Sequence, residues 1–160
     1  MKKRIQNVFI ELMKNAKKSD RDIAKKFNIS QPTVTRIRKK LEKNVISAYT
    51  AVPILTEIGI NLMSFNFGIC DSTKKQIDLC LKQLEKTNPR VAFAASGEGM
   101  GKNCLVVAFH KDYRDYVSFL SDLRAKCKGA KSHVDSFVTP TSKDHVLNFG
   151  VPIADLLKEK

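Results

Sequence analysis

Tryptophan is absent from this 160-residue chain, and proline, glycine and cysteine number only five, seven and four. So little proline and glycine excludes collagen-like repeats and flexible low-complexity chains. The cysteines, Cys70, Cys80, Cys104 and Cys127, form no C-x-x-C pair, which removes zinc ribbons and thioredoxin-type motifs. The three histidines show neither an H-x-H nor an i, i+4 pairing, so no metal site is expected. Long apolar runs are missing too. The longest, Cys104–Phe109, is strand-length, far short of the ~20 residues that span a bilayer. No signal-peptide core follows Met1-Lys2-Lys3-Arg4 before Lys14. With no Ser/His/Asp set, metal cluster or phosphate loop, the sequence predicts no catalytic residue and no cofactor. It points to a cytoplasmic protein with reduced thiols and no membrane partner.

What the first third lacks is acid. Residues 1–50 carry 14 Lys and Arg against 4 Asp and Glu, a net +10 out of the chain's +13. A field this lopsided favours docking of a polyanion on that part of the molecule.

The pattern beneath the charge is helical. Ile5, Val8, Phe9, Leu12 and Met13 recur at i, i+3, i+4, i+7 and i+8, one apolar stripe on a helix of about three turns. Ser19 then offers an N-cap, with Asp20 and Asp22 in the first turn, and a short helix buries Ile23, Ala24 and Phe27. Asn28 suits the left-handed stop. Ser30 is the next cap, with Pro32 in the first turn and Val34, Ile37 and Leu41 along the inner face. Pro32, Thr35, Arg36, Lys39 and Lys43 point the other way, flanked by Gln31, Thr33 and Lys40. Two helices joined by a tight turn, the second with a basic outer face, form a helix-turn-helix whose second helix fits the major groove. Gln31, Thr33 and Thr35 would meet base edges, while Arg36, Arg38, Lys39 and Lys40 would anchor phosphates and Arg36 would reach a guanine. Lys17, Lys18, Lys25 and Lys26 would add backbone contacts.

The rest alternates strand and helix signals. Val45–Ile54 is rich in β-formers. Asn61–Cys70 alternates Leu62, Ser64, Asn66 and Gly68 on one face with Met63, Phe65, Phe67 and Ile69 on the other. A helix capped by Ser72 carries Ile77, Leu79, Cys80, Leu81 and Leu84, and Asn88-Pro89 stops it. Strands over Val91–Ser96 and Cys104–His110 flank a glycine-rich loop, Gly97–Asn103. A helix over Asp112–Cys127, with Tyr116, Phe119, Leu120 and Leu123 inward, ends at Gly129, and His133–Thr139 is the last strand. The order is βαββαβ, a ferredoxin-like sandwich with helices on one sheet face. The other face, with Phe93, Phe109 and Phe137, invites oligomerisation. In that fold Cys70 and Cys104 fall on neighbouring strands, as two core thiols or as a redox pair. The tail from Thr141 ends in Val151–Leu157, a short-helix signal.

The run from Glu11 to Glu42 (ELMKNAKKSDRDIAKKFNISQPTVTRIRKKLE), followed by VISAYT from Val45 to Thr50, resembles the Lrp/AsnC, or feast/famine, family of prokaryotic transcription regulators. The resemblance implies an α+β protein: a winged-helix-like helix-turn-helix domain (1–46), a linker strand (47–60) that pairs with its mate in a homodimer, a ferredoxin-like dimerisation and effector domain (61–140), and a C-terminal tail (141–160). It also implies a sequence-specific, nucleoid-associated regulator that binds double-stranded DNA at a palindrome as a dimer or assembly of dimers. The family's β2–β3 hairpin lies near an amino-acid effector site, which points to Gly97, Gly99, Gly101 and Asn103. Three residues are inserted there, and Asn103 stands where the family carries an acid. The recognition helix reads Ile37-Arg38 where the family has the reverse order, and Asn44 replaces a glycine after it. The competing readings are an architectural DNA- or RNA-binding protein and an enzyme with a regulatory ferredoxin-like domain.

Overall fold

A computed structural model describes residues 2–126 and 133–142. They fall into two compact units, one ending at Val52 and the other starting at Pro53.

In the first unit the amphipathic stripes become α1 (Lys3–Lys14), α2 (Asp20–Phe27) and α3 (Gln31–Asn44). Val8, Leu12, Ile23, Ala24, Val34, Ile37 and Leu41 close one core, with Ile5, Phe9, Phe27 and Ile29 against it. Burying one such aliphatic side chain contributes about 2 kcal/mol, so these few residues hold a small unit together. Ser19 caps α2 by accepting from the Asp22 N–H at 3.1 Å, and Asn28 takes the left-handed conformation at φ 50. Asn44 does not supply a left-handed stop. It is still helical, and the Val45 and Ile46 N–H groups close on the Leu41 carbonyl at 2.7 and 2.8 Å.

The second unit holds β1 (Leu62–Ile69), α4 (Lys74–Thr87), β2 (Val91–Gly99), β3 (Lys102–His110), α5 (Tyr113–Lys126) and β4 (His133–Pro140). The sheet is antiparallel in the order β2-β3-β1-β4, the ferredoxin-like arrangement expected. Ile77, Leu81, Leu84, Phe119 and Leu123 of the helices pack on Cys104, Val106, Ala108 and Val134 of the sheet. Leu79 and Cys80 are exposed rather than inward, because α4 offers the sheet only its i, i+4, i+7 stripe. Its cap is Thr73 in place of Ser72, in a reciprocal capping box with Gln76. Residues 127–132 and 143–160, which include Cys127, Gly129 and the Val151–Leu157 signal, lie outside the described residues.

The strand expected over Val45–Ile54 is not formed. A strand needs a neighbour for its N–H and C=O groups, and this segment pairs with no described strand; a short 3₁₀ turn, Leu55–Ile58, follows it.

Strand β1 buries its polar alternation and turns its apolar one to the other face. Ser64, Asn66 and His110 lie under the helices. The Ser136 hydroxyl donates to Asn66 Oδ1 at 2.8 Å, and Asn66 Nδ2 donates to Ser64 Oγ at 2.9 Å. Ser64 Oγ lies 2.7 Å from His110 Nε2, so one hydrogen-bonded chain crosses β4, β1 and β3. On the other face Met63, Phe65 and Phe67 stand opposite Phe109, Val107 and Leu105. Phe93 and Phe137 on that face are 51% and 62% exposed.

The Gly97–Asn103 loop is mostly strand. β2 and β3 run to Gly99 and Lys102, leaving Met100 (φ 52) and Gly101 (φ 67) as a two-residue turn with both φ positive. That is a type I′ turn, whose preferred first residue is Asn, not Met. Met100→Asn is expected to raise stability by about 1 kcal/mol in denaturant unfolding, because asparagine tolerates the left-handed conformation that an ordinary side chain resists. His110 supplies a pH test. Burial pushes its pKa below the usual value, Asp115 opposes that shift and Arg90 adds to it. Its stabilising contribution is therefore complete above the unfolded-state value of about 6.5 and declines as pH falls below it. Stability is expected to drop between pH 7 and 5.5, with His110→Gln flattening that drop.

Candidate nucleic-acid interface

The angle between α2 and α3 is set by one carboxylate. Asp20, in the first turn of α2, accepts from Thr35 Oγ1 at 2.7 Å and from Arg38 Nε at 2.6 Å. Arg38 also donates to the Lys18 carbonyl at 2.7 Å, before α2 begins. Burial alone would raise the Asp20 carboxyl, but the Thr35 and Arg38 hydrogen bonds and the Arg38 charge outweigh it and hold it below the usual range.

A second carboxylate joins α1 to α2. Glu11 is 4% exposed, and Lys18 and Lys26 reach its two oxygens at 2.5 and 2.6 Å. Here too burial is outweighed, by those two ammonium groups, and the pKa lies below normal. Isolated, such a carboxylate would be costly to bury; with two cations it ties the helices together.

These pairs divide the residues expected to face DNA. Gln31, Arg36, Lys39 and Lys40 are exposed along α3, and Gln31, Pro32, Thr35, Arg36 and Lys39 line a shallow hollow on it. Thr33 is half-buried beside the Ser30 hydroxyl at 2.8 Å. Thr35 and Arg38 are spent on Asp20, because their side chains leave α3 on the flank that meets α2. Lys18 and Lys26 are spent on Glu11, while Lys17 and Lys25 stay exposed. Sequence reasoning missed Glu11 and Asp20 as organising groups. The signal was slight: Glu11 borders the apolar stripe beside Val8 and Leu12, where a charge needs partners.

The expected effector residues part company as well. Gly97 and Asn103 border a hollow of about 220 Å³ with Ser72, Lys74, Ser96 and Glu98. Gly99 borders a second hollow, beside Phe67 and Phe93, which Gly97 also lines, and Gly101 sits in the turn. Asn103 uses both ends of its amide on one backbone residue: Oδ1 accepts from the Cys70 N–H at 2.8 Å and Nδ2 donates to the Cys70 carbonyl at 2.7 Å. No group of three or more metal-binding side chains converges among the described residues, and no described helix is long and apolar enough to cross a membrane.

Comparison with known proteins agrees with this geometry. Residues 1–44 match the winged helix-turn-helix DNA-binding family. No curated protein matches the sequence. Among solved structures, a transcriptional regulator from Neisseria meningitidis in complex with L-methionine superposes with a TM-score of 0.78 at 17% identity, over 98% of this chain and 99% of that one. An AsnC family transcriptional regulator from Agrobacterium tumefaciens gives 0.78 at 18% identity, over 92% and 95%. AsnC of E. coli gives 0.71 at 16%, over 92% and 95%. The chain thus has the two-domain α+β fold of the AsnC/Lrp transcriptional regulators, a helix-turn-helix followed by a ferredoxin-like domain.

Removing the Asp20 charge tests its organising role. Asp20→Asn is expected to lower the stability of the first unit by about 2 kcal/mol at pH 7, since it weakens a charge-assisted bond and leaves the part-buried Arg38 without its carboxylate. A carboxylate held below its unfolded value stabilises above about pH 4 and loses that contribution as pH falls through its folded value. The wild type and variant should therefore converge under acid in circular-dichroism titrations.

Proposed function

We propose that the protein is a sequence-specific DNA-binding transcription regulator of Lrp/AsnC type, acting on a palindromic operator as a homodimer or an assembly of dimers. The observation that carries this reading is the exposed row Gln31, Arg36 and Lys39 on α3, beside acids already neutralised by protein cations. Arg36 has the planar fork that reads guanine, Gln31 can address an adenine edge, and Lys39 and Lys40 meet phosphates. In this reading Thr35 and Arg38 position the helix and do not contact DNA.

The dimer follows from two unpartnered features. Met63, Phe65, Phe67, Phe93 and Phe137 form an apolar sheet face. The segment 45–54 has exposed Val45, Tyr49, Val52 and Ile54 and no ladder among the described residues. Pairing that segment with its mate and joining the sheet faces would satisfy both, and would set two recognition helices ~34 Å apart on a palindrome. The hollow beside Gly97 offers Lys74 and Glu98, one charge of each sign for a zwitterion. Since one similar structure was solved with L-methionine, an amino acid is the effector class that fits, with Glu98 in the acidic role that Asn103 does not fill.

Selection of bound duplexes from a random pool at ~150 mM salt tests the reading. A palindromic motif with half-sites about one turn apart is expected. Binding at low salt without enrichment would favour the architectural alternative instead.

A further inference from the structure

Three cysteines line one cavity of the second unit, Cys70 and Cys104 from the sheet side and Cys80 from α4. A cavity of about 190 Å³ lies between the sheet and the two helices, and Cys70, Cys80 and Cys104 line it together with Ile77, Leu81 and Leu84. Cys104 is buried, Cys70 is half-buried and Cys80 is exposed.

Two of these sulfurs touch. Cys70 Sγ and Cys104 Sγ are 3.7 Å apart. Gly68 stands opposite Cys104 in the β1–β3 register, and Cys70 follows two residues on, so both thiols face the helices. Gly68 makes the space for the pair: a Cβ there would stand 2.7 Å from Cys104 Sγ. The Asn103 amide grips the Cys70 N–H and carbonyl, fixing that backbone beside the start of β3. A disulfide needs an S–S separation near 2.05 Å, so the sulfurs must approach by roughly 1.7 Å. Cys70 lies one residue beyond β1, outside the ladder, where side-chain rotation of the two cysteines can supply that approach.

We propose that Cys70 and Cys104 form an oxidisable dithiol, a modification site whose co-substrate is a hydroperoxide entering through the cavity. Cys70, the more accessible of the two, loses its thiol proton, and its sulfur attacks the terminal oxygen of ROOH. The O–O bond breaks, ROH leaves with the proton, and Cys70 becomes a sulfenic acid. The Cys104 sulfur then attacks the Cys70 sulfur, and the hydroxyl departs as water with the Cys104 proton. The balance is two thiols plus ROOH giving one disulfide, ROH and H₂O. The bond staples the end of β1 to the base of the β2–β3 hairpin.

The full chain is treated with stoichiometric hydrogen peroxide, alkylated without reduction and digested with trypsin. The expected product is peptide 44–74 joined to peptide 103–111, with two hydrogens lost from the intact mass and both restored by dithiothreitol. The same link is expected in Cys80→Ser and is absent from Cys70→Ser and Cys104→Ser. Recovery of Cys70 and Cys104 as alkylated thiols, with oxygen added at Cys80 or Cys127 instead, would overturn the proposal. The decisive digest uses the wild-type chain, so a folding defect in a variant does not obscure the result.

Discussion

The Asp20 carboxylate is the constraint on which the first unit turns. It sits where the α2 dipole favours an anion, and it takes hydrogen bonds from two residues of α3 that lie one turn apart. Each charge-assisted bond contributes about 1.5–3 kcal/mol, comparable to burying one aliphatic side chain of the small core beneath it. The apolar stripe says that α2 and α3 pack; Asp20 says at what angle and rotation. With that rotation set, Gln31, Arg36 and Lys39 emerge on one side. Any wider opening of the two helices would expose an unpaired Arg38 and an unpaired Asp20 together.

The second unit rests on an inversion of the same economy. Its helix-covered face holds a hydrogen-bonded Ser136–Asn66–Ser64–His110 chain, while phenylalanines occupy the uncovered one. Buried polar atoms are tolerated only when paired, so the chain specifies strand register. A one-residue slip of β1 would put Phe65 and Phe67 under the helices and Ser64 and Asn66 outside, breaking the links to His110 and Ser136. The exposed phenylalanines are the complement of that choice.

Most of the fold was legible in the sequence, for a physical reason. Each helix stripe and each β alternation serves a local period, and the caps at Ser19 and Asn28 are local geometry too. The misses share the opposite character. The segment 45–54, which the resemblance pairs with a mate, forms no ladder among the described residues. The seven residues Gly97–Asn103 read as a loop, because glycine signals freedom whether or not it sits in a ladder. Arg38, Thr35, Lys18 and Lys26 hold carboxylates within their own unit, a role that basic and polar residues on a helix do not reveal until their distant partners are known. Glu11 and Asp20 lie 7 to 18 residues from those partners in sequence. Asn103 belongs to the same group, its amide committed to Cys70 across 33 residues.

A paired comparison of Arg36→Ala and Arg38→Ala tests the central claim most directly, with unfolding free energy and affinity for the selected duplex read on the same samples. Arg36→Ala should keep wild-type stability and lose at least tenfold in affinity for the selected site, about 1.4 kcal/mol. Arg38→Ala should unfold more easily by about 2 kcal/mol because it strands Asp20. The reverse pattern, with stability lost on removing Arg36 and kept on removing Arg38, would contradict the division of α3 into a positioning flank and a reading face.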